Sequence, residues 1–175
     1  LTMLERRLAY VEVETQGQVA GGRAERPSQQ SKTAKLDPQA AAGTSLSERP
    51  GLTPTSAYNL AYNDYLSGRY ELAVTGFQRF VEDFPSTSLT PNAYYWLGES
   101  YYSMKDYVRA MQAFERVIKD YPKSEKVPPA LYKLGLAAGE TGDTRRSRAF
   151  LKRVIQEYKD SNEAKLAKNR LAELQ

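Results

Sequence analysis

The sequence predicts an all-α fold, a solenoid of three helical hairpins closed by a C-terminal capping helix, and three observations lead to it. Beyond residue 56 the chain superimposes on itself at a shift of 37 residues, and repeats of this length mark hairpin solenoids. Each copy holds two stretches of about 14 residues with apolar positions recurring at the helical period. They are parted by Ser67-Gly68, Lys105-Asp106 or Gly142-Asp143. The aromatic residues draw the boundary of the compact part, since of 13 Tyr, 5 Phe and 1 Trp only Tyr10 precedes residue 58.

Residues 1–14 come first. Leu1, Leu4, Leu8 and Val11 alternate spacings of three and four, with Glu5, Arg6, Arg7, Glu12 and Glu14 between them. This is the seam of a short coiled-coil helix, although an ordinary amphipathic helix end has the same pattern over so few turns. The first residue is Leu1, which points to a processed or trimmed start. In residues 15–55, 29 of the 41 positions are Gly, Pro, Ser, Thr, Gln or Ala, and none is aromatic. Such a segment buries too little apolar area to offset the entropy of ordering, so it reads as a flexible linker.

The repeat domain spans residues 56–175, with copies at about 54–90, 91–127 and 128–161 and a cap at 162–175. Tyr58, Tyr95 and Tyr132 align, as do Leu60, Leu97 and Leu134, and then Ala61, Gly98 and Gly135. The second helices align Ala73, Ala110 and Ser147, Phe77, Phe114 and Leu151, and Phe80, Val117 and Val154. Small residues at two of these positions let the paired helices approach, and the large one fills the groove between them. Phe84-Pro85 and Tyr121-Pro122 close the first two copies, while Tyr158-Lys159 closes the third. Ala164, Ala167, Leu171 and Leu174 give the last helix one apolar side, which a terminal repeat needs to avoid exposing its core face. The second copy carries the tetratricopeptide pattern: Tyr94 where Trp is usual, then Leu97-Gly98, Tyr101, Ala110, Phe114 and Pro122.

In such an array the first helix of each pair lines the concave surface, through positions 2, 5, 9 and 12 of the repeat. Counting from Pro54, Pro91 and Pro128 places Tyr58, Tyr95 and Tyr132 at position 5. Tyr62, Glu99 and Leu136 take position 9, and Tyr65 and Tyr102 take position 12. Asn59, Asn92, Trp96 and Lys133 sit beside them. Tyr and Trp bury much area at low entropic cost, so these twelve residues are candidates for a protein-binding groove. Packing between adjacent repeats would use the same rings.

With no Cys and no His, thiol catalysis, Ser-His triads, zinc fingers and the usual transition-metal sites have no ligands or nucleophiles. Glu99 is the one groove carboxylate, without a partner acid or a phosphate loop, so the chain reads as non-catalytic, with no cofactor and no metal. The charge, 25 Lys+Arg against 21 Asp+Glu, is uneven. Residues 142–175 carry 9 basic and 5 acidic side chains, with Arg145, Arg146, Arg148, Lys152 and Arg153 clustered. No nucleic-acid motif accompanies them, so a solvated helix face is expected rather than a nucleic-acid partner. No apolar run approaches the roughly 18 residues of a membrane span, so no membrane insertion is expected.

The run Asn92-Ala93-Tyr94-Tyr95-Trp96-Leu97-Gly98-Glu99-Ser100-Tyr101-Tyr102, with Phe84-Pro85-Ser86-Thr87 before it and Leu134-Gly135 after it, resembles the C-terminal domain of the Tol-Pal system family YbgF, also called CpoB. The resemblance covers residues 56–175, and the order of coiled coil, low-complexity linker and tetratricopeptide domain agrees with it. It implies a periplasmic, non-catalytic protein that binds TolA and coordinates outer-membrane constriction with the peptidoglycan synthase machinery at cell division. It also implies a homotrimer through the N-terminal coiled coil. The Tyr-Pro-x-Ser endings are similar as well to those of BamD, the outer-membrane assembly lipoprotein, whose tether is a lipidated Cys; this chain has none and carries a long polar linker instead.

Overall fold

The computed structural model describes residues 52–174, and the coiled-coil and linker expectations for residues 1–51 lie outside them. Seven helices follow one another: α1 (Pro54–Leu66), α2 (Tyr70–Asp83), α3 (Thr90–Ser103), α4 (Tyr107–Asp120), α5 (Val127–Glu140), α6 (Thr144–Glu157) and α7 (Asn162–Glu173). There is no strand among the described residues. Each helix packs on the next, so α1–α2, α3–α4 and α5–α6 are the three hairpins and α7 is the cap. α1 also touches α3, and the cap α7 touches α5.

Local chemistry explains where the helices begin. α1 opens with a capping box in which the Thr53 side chain accepts from the Ser56 backbone N–H and Ser56 answers the Thr53 backbone, with Pro54 in the first turn. The helix therefore starts ahead of the Ser56 boundary drawn from the aromatic distribution, because a cap made of Thr, Pro and Ser leaves no aromatic trace. Asp106 caps α4 by accepting from Arg109 N–H at 3.1 Å, and Asp143 caps α6 by accepting from Arg146 N–H at 2.9 Å. Arg69 stands at the same place in the first hairpin, where it cannot cap, and reaches Asp64 at 2.7 Å instead. At the tip of each hairpin the chain turns through the left-handed region, at Gly68 (φ 73°), Lys105 (φ 61°) and Gly142 (φ 82°). Glycine enters that region freely and lysine does not.

The core repeats with the same phase. Phe77 and Phe80, Phe114 and Val117, and Leu151 and Val154 are fully buried at matching positions of α2, α4 and α6. Gly98 is where α3 comes closest to α4, since a methyl there would meet the Phe114 ring at 2.5 Å. Leu97 and Leu134 are buried, but their partner by alignment, Leu60, is 60% exposed. α3 and α5 each have a preceding hairpin to cover that side and α1 has none among the described residues.

Candidate functional site

The first helices of the hairpins carry the predicted residues. Tyr58, Tyr62 and Tyr65 lie at i, i+4 and i+7 on α1, a spacing that stacks side chains along one face. Their rings run in a file, Tyr58 to Tyr62 at 6.1 Å and Tyr62 to Tyr65 at 6.4 Å. Trp96 of α3 leans on that file, 4.8 Å from Tyr62 and 4.9 Å from Tyr65, and it meets Tyr95 edge-on at 5.3 Å. All five are half-buried, so each keeps part of its surface open, and Tyr62, Tyr65 and Trp96 bridge two repeats. Trp96 thus belongs to the packing between repeats as well as to the open face.

Tyr58 reaches deepest, with its ring edge-on to Phe77 at 5.7 Å and Phe80 at 5.8 Å. Burial pushes its hydroxyl up to about 12, helped by Tyr62 and opposed by a hydrogen bond with Trp96. Tyr95 is raised further, again chiefly by burial; its ring packs 5.7 Å from Phe114.

One step along the array the chemistry changes. Glu99 of α3 is only 7% exposed, and Lys133 Nζ of α5 donates to its Oε2 at 2.7 Å. The same ammonium lies 5.1 Å from the centroid of the Tyr102 ring. The other carboxylate oxygen, Glu99 Oε1, is buried without a hydrogen-bond partner. Burial raises the Glu99 carboxyl above its ordinary value, with Lys133 pulling the other way. Burial raises the hydroxyls of Tyr65 and Tyr95, with Glu99 adding to both, and burial and Glu140 raise that of Tyr102.

The remaining candidates are spread out. Tyr132 is half-buried on α5, its hydroxyl raised by burial and eased by Arg170. Leu136 is half-buried on the same helix, and Asn59 is exposed on α1. Asn92 stands apart from the aromatic file, in a groove of about 600 Å³ lined by Thr87, Pro91, Tyr121 and Ser124 between the loops that end the first two repeats. Lys126 was missed by the repeat count, although its ammonium sits 5.4 Å from the centroid of the Tyr95 ring. It is the residue before α5, one turn outside the counted positions; an inspection of helix-start residues for cations beside the Tyr ladder would have found it. In the basic cluster, Arg146 pairs with Glu115 at 3.2 Å, Arg153 pairs with Glu157 at 2.8 Å, and Arg148 donates to the Leu174 carbonyl.

Among the described residues, no group of three or more acidic side chains is placed to hold a metal ion, and no helix is long and apolar enough to cross a membrane. What these side chains offer together is aromatic area, one buried ion pair and an unmet acceptor.

A sequence profile of the YfiO family, described as outer membrane lipoprotein, matches residues 50–175. No curated protein matches the chain. Among solved structures, MamA is 22% identical with a TM-score of 0.54, over 61% of this chain and 55% of MamA. The Yersinia enterocolitica type III secretion chaperone SycD, in complex with a peptide of the translocator YopD, is 21% identical with a TM-score of 0.58, over 69% of this chain and 87% of that one. The second TPR domain of human RPAP3, in complex with an HSP70 peptide, is 15% identical with a TM-score of 0.57, over 70% and 98%. At these identities the likeness establishes the tetratricopeptide fold.

Proposed function

The chain belongs to the YfiO family of outer membrane lipoproteins, and from that premise we propose that it is a non-catalytic tetratricopeptide scaffold of the periplasm that holds a segment of a partner protein on its inner face. The observation that carries this reading is the aromatic file of Tyr58, Tyr62, Tyr65, Trp96 and Tyr95, half-buried and continuous across two repeats. Large amphipathic rings held rigidly by their neighbours lose little freedom on binding and desolvate cheaply. Tetratricopeptide structures of the same fold hold peptides in SycD and RPAP3, which supports assigning the inner surface to a peptide segment here. Of the sequence-derived candidates, Tyr62, Tyr65, Trp96, Tyr95, Glu99, Tyr102 and Lys133 form the center of the site, with Asn59, Tyr58, Tyr132 and Leu136 at its margins and Asn92 outside it.

The partner we propose is a TolA-like envelope protein, on the resemblance of residues 92–102 to the YbgF/CpoB family, with a role in coordinating the outer membrane and the wall at division. The test is capture from an envelope extract with the full chain as bait, beside a Tyr62→Ala bait whose folding is checked by circular dichroism. Recovery of TolA that falls with Tyr62→Ala supports the reading. Recovery of outer-membrane assembly components in its place replaces it with the BamD-like role, and TolA recovery untouched by Tyr62→Ala moves the site off the inner face.

A further inference from the structure

Glu99 leaves a hydrogen-bonding need that the folded chain does not meet. Its Oε1 is buried with no partner, while the side chain as a whole is 9% exposed and its Oε2 is already held by Lys133 at 2.7 Å. A buried acceptor without a donor is costly, and such groups are rare unless a ligand or water completes them. Lys133, whose side chain is 23% exposed, carries three donors and uses one on Glu99. Acceptor and donor therefore stand side by side, with the Tyr102 ring 5.1 Å from the ammonium and Trp96 one turn before Glu99 on the same helix.

The pair is already neutral as a unit, which decides the chemistry of what completes it. A second cation would have to give up its water beside the Lys133 ammonium, and an anion would do so beside the Glu99 carboxylate; both are penalised. A neutral group with an N–H and a C=O in one plane meets neither penalty. Its N–H donates to Oε1 and its oxygen accepts a hydrogen bond from a second N–H of the Lys133 ammonium. We propose that Glu99 and Lys133 are an amide-reading point of the inner groove, and that the docking segment is a peptide presenting an Asn or Gln carboxamide to them, close to a large apolar residue that packs on Tyr62, Tyr65 and Trp96. The carboxamide enters by displacing the half-buried Tyr102 ring that faces the ammonium. This rests on the reading of the inner face as the binding surface and names the specificity of that same site.

The experiment pans a phage library of random 12-residue peptides on the full chain, then measures the enriched peptides as synthetic probes by fluorescence polarisation. Enriched sequences are expected to share an Asn or Gln within a few positions of Trp, Phe or Leu. Replacing that Asn or Gln by Ala weakens binding to the parent chain about tenfold, and by less than about twofold to the Glu99→Met chain, a coupling that marks direct contact. The peptide-side substitution leaves the protein intact, so the answer stands even where Glu99→Met folds poorly. Peptides that lose affinity to Tyr62→Ala but are indifferent to their own Asn or Gln overturn the amide point and leave the groove. Enrichment of Lys, Arg, Asp or Glu at that place overturns it equally. Peptides indifferent to both changes, or a library that yields no binder, overturn the groove reading itself.

Discussion

The contact between Tyr62 and Trp96 joins the first repeat to the second, and the contact between Glu99 and Lys133 joins the second to the third at the same two positions of the 37-residue phase. At the first junction two rings meet at 4.8 Å; at the second a carboxylate and an ammonium meet at 2.7 Å. The helices beneath are alike, with Phe77 and Phe114 fully buried in both. Repeat stacking thus fixes where the junction residues stand and leaves their chemistry free. The two junctions also differ in what they cost, because rings gain from losing water while buried charges must recover their hydration from each other.

Trp96→Ala should have the largest effect, a loss of about 3 kcal/mol in denaturant unfolding, since it removes the ring that Tyr62, Tyr65 and Tyr95 all pack against. A loss below about 1 kcal/mol would mean that the ring serves the open face alone and that the aromatic junction does not hold the repeats. Lys133→Met comes next. It strands Glu99, which escapes only by taking a proton, and should cost about 2 kcal/mol at neutral pH, less in acid.

The pH dependence sharpens the contrast. Glu99 has a folded carboxyl raised above its ordinary 4.5 because burial outweighs Lys133. A raised carboxyl binds its proton more tightly in the folded chain than in the unfolded one, so its contribution is complete below that ordinary value and is lost as pH rises through the folded value. Stability should therefore fall as pH climbs above the ordinary 4.5, and Glu99→Gln should flatten that part of the profile of denaturant midpoints. An unchanged slope would assign it to other groups. The smallest effect is expected from transplanting the first junction onto the second. Glu99→Tyr with Lys133→Trp exchanges a buried ion pair for packed rings and should leave stability within about 1 kcal/mol of the parent. A much larger loss would show that the ion pair fixes the spacing of α3 and α5.

The hairpins were legible because their signals are periodic: the Phe77, Phe114, Leu151 series and the breaks near residues 68, 105 and 142 each recur three times. The pairing of Glu99 with Lys133 was not, although both residues were picked as candidates. They lie 34 positions apart, and a repeat count compares equivalent positions, whereas a junction joins different positions of neighbouring repeats. The groove that Asn92 lines with Tyr121 and Ser124 was not legible either, because it is formed by loop residues that the repeat count does not compare. The helix-start role of Thr53 went unseen because one capping box has no repeat to announce it.

Leu60 is 60% exposed at one end of the array, while Ala164 and Ala167 of α7 are fully buried at the other. Because each helix packs chiefly on its neighbours in sequence, a linear stack of this kind opens from its ends rather than all at once. The open end is α1–α2, and nothing among the described residues covers it as α7 covers α5–α6. Amide protons of α1 should therefore exchange with solvent before those of α5. The aromatic file spans the hairpin that loosens first and the one behind it, so a ligand gripping Tyr62 and Trp96 together would slow exchange in α1 far more than in α5 or α6.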